Sequence, residues 1–169
     1  RFIGNGPNIE SHIQFDDIAI NYDDGANTAP VLDNTGDMVL NNIVEDDVTS
    51  SGTSVADIVL SGGADQITDA DAGAVEGIAV TGVDNTNGTW QYDADDDGTW
   101  VDFPTVNDNA AVLLDPNANI RFVPDANYTG SAGDISFRAW DQTSGNSGDT
   151  NVDVSTNGGA TAFSVDAET

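Results

Sequence analysis

The chain contains no cysteine and no lysine, a single histidine, and only three basic residues, Arg1, Arg121 and Arg138. Each shortage excludes a class of chemistry. Without cysteine there is no disulfide framework and no thiolate nucleophile. Without lysine there is no Schiff base. His12 stands in the first 24 residues, away from the body of the chain, and reads as a surface residue. Histidine triads and histidine-ligated zinc hydrolases therefore lack their parts. Paired carboxylates can hydrolyse glycosides, but with 30 acidic residues no one pair stands out. The chain reads as a non-enzyme. Three cations are too few to bind nucleic acid through its phosphates or to dock on anionic lipid. No apolar run approaches the ~18 residues needed to cross a bilayer, so no membrane insertion is expected. No signal peptide is visible at Arg1, as in a mature product or an excised piece.

What is abundant is negative charge. Thirty acidic residues against three basic ones give a net charge of -27 over 169 residues. Self-repulsion of that size opposes compaction. A chain escapes it by staying disordered or by neutralising carboxylates with bound cations. Three Trp, three Tyr and six Phe, with Val and Ile in ordered alternation, argue against disorder. Cation binding is the expectation, and without disulfides the ions would do the stapling.

Helical periodicity is hard to find, and Gly, Asn, Asp and Thr punctuate the chain every few residues. Residues 1–24 hold one strand, with Ile13, Phe15, Ile18 and Ile20 interrupted by Asp16 and Asp17. The linker DGANTAP follows. A lone strand needs a partner sheet, so residues 1–28 read as the end of a preceding domain or as a docking or donor strand. The body, 29–169, predicts strands at 38–44, 54–60, 77–83, 89–92, 99–103, 111–114, 120–123 and 134–140, with a weaker one near 160–165. Trp90 and Tyr92 share a face at period 2, as do Val101 and Phe103, and Ile135, Phe137 and Ala139. The expected fold is all-β: an antiparallel β-sandwich of immunoglobulin-like topology, preceded by one extra N-terminal strand.

Calcium takes six to eight oxygen ligands, often from separate loops. Acidic clusters lie at Glu45-Asp46-Asp47, at Asp69-Ala70-Asp71-Ala72-Gly73, at Asp93 to Asp97, at Asp141 and at Asp23-Asp24. In a turn, residues i and i+2 can face one centre, and Gly73 permits the bend. Each pair alone is equally a solvated turn. DADDDG opens like an EF-hand loop with Asp93, Asp95 and Asp97. The twelfth position, however, is Pro104 rather than Glu, and no helix flanks the run. It reads as a hairpin tip with a peripheral cation.

Several segments, in order, carry a family resemblance: NTAPVL (27–32), VED (44–46), GTSVADIVL (52–60), ITDADAGAVEGIAVTG (67–82), NGTWQY (87–92), IRFVPDANYTG (120–130), ISFRAWDQTSG (135–145) and STNGGATAFS (155–164). Together they resemble the cadherin-like repeats of very large secreted bacterial proteins, including RTX-type adhesins. The resemblance covers most of 27–165. It implies an immunoglobulin-like sandwich strung in tandem, with calcium stiffening the junctions. Carried over, the calcium ligands are Glu45, Asp69, Asp71 and Asp141, with Asp24 and Asn27 in the linker. The linker lacks the second acidic residue of the cadherin pattern. The hairpin at Asp93, Asp95 and Asp97 is more acidic than the pattern, which suggests an extra local site. Residues 13–24, IQFDDIAINYDD, also resemble the closing strand of laminin-G or concanavalin-like jelly rolls.

The expected function is a non-catalytic, extracellular, calcium-stabilised structural or adhesive module. Its partners would be neighbouring modules or copies of the same protein. One alternative is a filament or surface-layer subunit assembled by strand donation from residues 1–24. Another is a calcium-dependent module for surface glycans. Trp90 and Trp140 lie within strands and read as core, whereas Trp100 borders the hairpin tip and is the candidate sugar-stacking residue.

Overall fold

The computed structural model describes residues 25–169; the strand expected at 13–20 lies outside the described residues. The elements in chain order are β1 (Val31–Leu32), β2 (Thr53–Ser54), α1 (Val55–Leu60), β3 (Ile67–Thr68), β4 (Gly77–Val83), β5 (Gly88–Asp93), β6 (Val101–Asp102), β7 (Val112–Leu114), β8 (Asn119–Pro124), β9 (Ile135–Trp140) and β10 (Phe163–Glu168). Among the described residues the fold is all-β with one short helix, α1. One four-stranded sheet has the order β10-β9-β4-β7 and the other β2-β8-β5-β6; β1 and β3 form a separate pair. Every ladder is antiparallel.

Alternation along the strands builds the core. One cluster draws Ile78, Val80, Val112, Leu114, Phe137 and Ala139 from the first sheet and Trp90, Tyr92, Ile120 and Phe122 from the second. Trp90 meets Phe122 at 5.2 Å between ring centroids, and Tyr92 meets Phe103 at 4.7 Å, separations typical of tilted aromatic pairs. Phe103 is buried but Val101 is 46% exposed, so that expected pair does not share a core face. The first sheet buries its other face too. Ala79, Leu113 and Trp140 there pack against Ala111, Val154, Ala162 and Phe163. The chain after Asp149 runs back along β7, exchanging main-chain bonds between Ala111 and Val152. Burial on both faces explains why β4 reads as the continuous apolar run Ile78-Ala79-Val80. Gly77 sits where a Cβ would meet the Trp140 ring at 2.8 Å, so the close approach of β4 to that indole requires glycine.

Two strand expectations are corrected. Residues 55–60 form a helix. Ser54 caps it, its Oγ accepting from the Asp57 N–H at 3.1 Å, and Val55, Ile58 and Val59 are the buried positions. The S-x-x-D cap and the i, i+3, i+4 spacing override the β-branched composition. Residues 38–44 form no ladder among the described residues: Met38, Leu40 and Ile43 pack against the core, but the main chain joins neither sheet. The remaining expected strands overlap β4 to β10, but the one expected at 99–103 shrinks to Val101–Asp102 and the one expected near 160–165 begins only at Phe163 and runs on to Glu168. No helix among the described residues is long and apolar enough to cross a membrane.

Candidate metal centre

The turns that carry the acidic residues follow one recurring rule. Asp33, Asp47, Asp84, Asp141 and Asp153 each accept, through Oδ1, both the N–H and the hydroxyl of the Thr or Ser two positions on. These are Asx turns, readable as D-x-[ST]. They answer part of the charge problem without ions, because N–H dipoles favour the carboxylate form. The Thr or Ser donors hold the carboxyls of Asp33, Asp84 and Asp153 below the ordinary range. Arg138 meets Asp108 at 3.3 Å and neutralises one more.

Asp141 belongs to this series but is placed differently. It follows β9 directly and is only 3% exposed, with its N–H bonded to Ala162. Thr143 supplies two donors to Oδ1, at 2.8 Å (N–H) and 2.6 Å (hydroxyl), and the Asn27 amide supplies one to Oδ2 at 2.8 Å. The same amide reaches the Thr161 carbonyl at 3.1 Å. One residue further, the Thr28 N–H donates to Asp71 Oδ2 at 2.7 Å. Asp69 follows β3, and its Oδ1 accepts from the Asp71 N–H at 2.8 Å. Asp69 Oδ2 is buried and has no hydrogen-bond donor among the described residues. Asn27, Asp69, Asp71 and Asp141 thus line one cleft of about 260 Å³ together with Gln142 and Thr143. Gln142 ties the cleft to β4 by donating to the Glu76 carbonyl at 2.8 Å. Burial raises the Glu76 carboxyl above its ordinary range, and the negative charges of Asp65 and Asp69 add to the shift.

The second cluster is local. Asp93 closes β5 and is 2% exposed; its Oδ2 accepts from the Gly98 N–H at 2.8 Å and its Oδ1 from the Asp97 N–H at 3.3 Å. Carboxylate oxygens of Asp93, Asp95 and Asp97 lie within 4.8 Å of one another, and Asp95 and Asp97 are exposed. The Thr99 hydroxyl and N–H lower the Asp97 carboxyl. Left-handed backbone at Asp96 and Gly98 makes the bend, and the Asn119 amide pins Asp96 at 2.9 Å.

Glu45 is not brought to either cluster. It lines a cleft with Pro124 and Tyr128. Pro124 pairs with Gly88 at the end of the body opposite Gly77 and Trp140. The irregular run between β1 and β2 carries Glu45 along the length of the molecule, a displacement that a list of acidic motifs does not reveal. Asp24 lies outside the described residues. Trp100 is half-buried, with Arg121 over its ring at 4.1 Å from the centroid. The guanidinium occupies one of the faces that would stack on a sugar. Thr28 and Thr143 are site residues that sequence reasoning missed; D-x-T at 141–143 signalled the second, and nothing local signals the first.

Comparison with protein-family models, with curated proteins and with solved structures gives no match.

Proposed function

We propose that the chain is a calcium-stabilised structural or adhesive module of an extracellular protein, without catalytic activity. In this reading it is an immunoglobulin- or cadherin-like β-sandwich that works in tandem with neighbouring modules. The observation that carries the proposal is the cleft at Asn27, Asp69, Asp71 and Asp141. Four oxygen-bearing side chains from three distant segments converge there, and a buried carboxylate oxygen, Asp69 Oδ2, lacks a donor among the described residues. A buried anionic oxygen without a partner is costly, and a hard cation with oxygen ligands is the species that removes the cost. The donors are all oxygens of carboxylate and amide type, the set calcium prefers over softer metals.

The position of the cleft supports the tandem role. Asn27 and Thr28 belong to the segment leading into the body, so a cation there would fix that segment to β3 and to the end of β9. The last residues leave from the opposite end: β10 starts beside Trp140, and the Thr169 hydroxyl meets Ser136. Glu45 lies toward that far end, where it would serve a different junction from Asp69 and Asp71.

The test is a thermal melt of the full chain in EDTA and in millimolar calcium. Calcium at about a hundred times its Kd contributes roughly 3 kcal/mol, a rise of roughly 5–10 °C for a domain of this size. Asp71→Ala should remove most of that increment. An equal increment in Asp71→Ala and wild type would refute the cleft, and no increment in wild type would refute calcium stabilisation itself.

A further inference from the structure

Three consecutive residues lead into the body, and each donates to a different part of it. The Asn27 amide nitrogen donates to Asp141 Oδ2 at 2.8 Å and to the Thr161 carbonyl at 3.1 Å. The Thr28 N–H donates to Asp71 Oδ2 at 2.7 Å, and the Ala29 N–H to the Gly159 carbonyl at 2.8 Å. All of these hydrogen bonds run the same way, from neutral donors on the entering segment to acceptors on the body. The partners of the Asn27 amide fix its orientation. A carboxylate oxygen and a carbonyl oxygen both accept, so the nitrogen rather than the oxygen must face them. An amide nitrogen in that position is a donor and not a ligand for a hard cation. Together with the Thr143 N–H and hydroxyl, it gives the buried Asp141 carboxylate neutral donors on both oxygens. Such donors stabilise a buried carboxylate without a counter-ion. Asp69 Oδ2 lines the same cleft and is buried with no donor among the described residues. Hydrogen bonds therefore serve Asp141, and the demand for a cation sits at Asp69.

We propose that Asn27 is a cation-independent clamp, and that residue 27 decides whether the entering segment is held at all times or only in calcium. This inference rests on the calcium reading of the cleft and assigns its regulation. A cation bound through Asp69 and Asp71 adds to an attachment that hydrogen bonds already make. The physical reason is charge. A carboxylate at position 27 would face the buried Asp141 carboxylate at hydrogen-bond distance. Two such anions repel unless a cation or a shared proton lies between them. The amide supplies attraction at the same place and adds no charge to a chain of -27. A module built this way keeps its entering segment docked as calcium falls. Calcium then sets how strongly the segment is held, not whether it is held.

Amide hydrogen exchange at Thr28, followed by NMR on the full chain at neutral pH in EDTA and in millimolar calcium, tests the clamp. Melting temperatures are taken in the same solutions. Wild type should protect the Thr28 amide in EDTA, and calcium should raise that protection further. Asn27→Asp should lose about tenfold or more of the protection in EDTA. It should regain it in calcium, with a larger calcium-dependent rise in melting temperature than wild type. Asn27→Ala should lose protection in EDTA by a similar factor but keep the wild-type rise, because Asp69 and Asp71 are intact. An unprotected Thr28 amide in wild type with EDTA would overturn the clamp, as would wild-type protection in both variants. An Asn27→Asp rise no larger than that of wild type would overturn the role of residue 27 in setting calcium dependence. Absence of any calcium response in wild type would refute the calcium reading itself, and the EDTA measurements would still decide the clamp.

Discussion

The two acidic clusters use the same residue type in opposite ways. At the β5–β6 hairpin, Asp93, Asp95 and Asp97 lie within five residues, and loop N–H groups already satisfy both oxygens of Asp93. At the cleft, Asn27, Asp69, Asp71 and Asp141 are up to 114 residues apart, and Asp69 Oδ2 has no donor among the described residues. Closeness of carboxylates is greater in the hairpin, yet long-range linkage belongs to the cleft. An ion in the hairpin would stiffen one turn, whereas an ion in the cleft would hold distant segments whose separation is part of unfolding. Proximity alone therefore ranks the clusters in the wrong order for their effect on the whole molecule.

The largest expected difference comes from truncating the buried acids. Asp141→Ala removes the acceptor for Thr143 and Asn27 and should cost about 2–3 kcal/mol in urea unfolding with EDTA present. Asp93→Ala, which loses two loop bonds, should cost about 1–2 kcal/mol. A reversal of that order would break the comparison. Next is the calcium response: Asp71→Ala should lose most of the rise in melting temperature, and Asp96→Ala, on the hairpin, should keep most of it. Equal small losses in both would erase the distinction. Gly98→Ala should cost about 1 kcal/mol at any calcium concentration, because an L residue is strained at φ 87.

The smallest effect is in the pH dependence, where the clusters differ in sign. The Asp97 carboxyl is lowered below 3.8 by Thr99, so its contribution is present above that pH and is lost as pH falls through the folded value. Glu76, near the cleft, is raised above 4.5 by burial, so its ionisation opposes folding at neutral pH. That opposition is relieved as pH falls toward 4.5. In a carboxyl titration followed by NMR, Thr99→Val should move Asp97 up and leave Glu76 unchanged. Movement of Glu76 alone would contradict the assignment.

Much of this was legible in the residues. Alternating apolar positions located β5, β8 and β9, and a continuous apolar run located β4, each within a residue or two; the burial of Trp90 and Trp140 followed from their place in strands. The helix at 55–60 was legible too, in Ser54 and Asp57, but β-branched composition pointed the other way. The long-range members of the cleft could be named only through a family pattern, and that pattern placed Glu45 with them. Periodicity reports which face a residue takes, not which end of the body its loop occupies.

By itself the sequence determined the all-β class, the large negative charge and the absence of cysteine and lysine, because these follow from composition and short-range period. Tertiary structure alone decided that Asn27 meets Asp141, that Asp69 Oδ2 is buried with no donor among the described residues, that Glu45 lies at the far end, and that residues 38–44 remain outside both described sheets. Each of those depends on how strands pair and how loops travel between them. Such non-local choices are made by the packing of the whole core rather than by any segment within it.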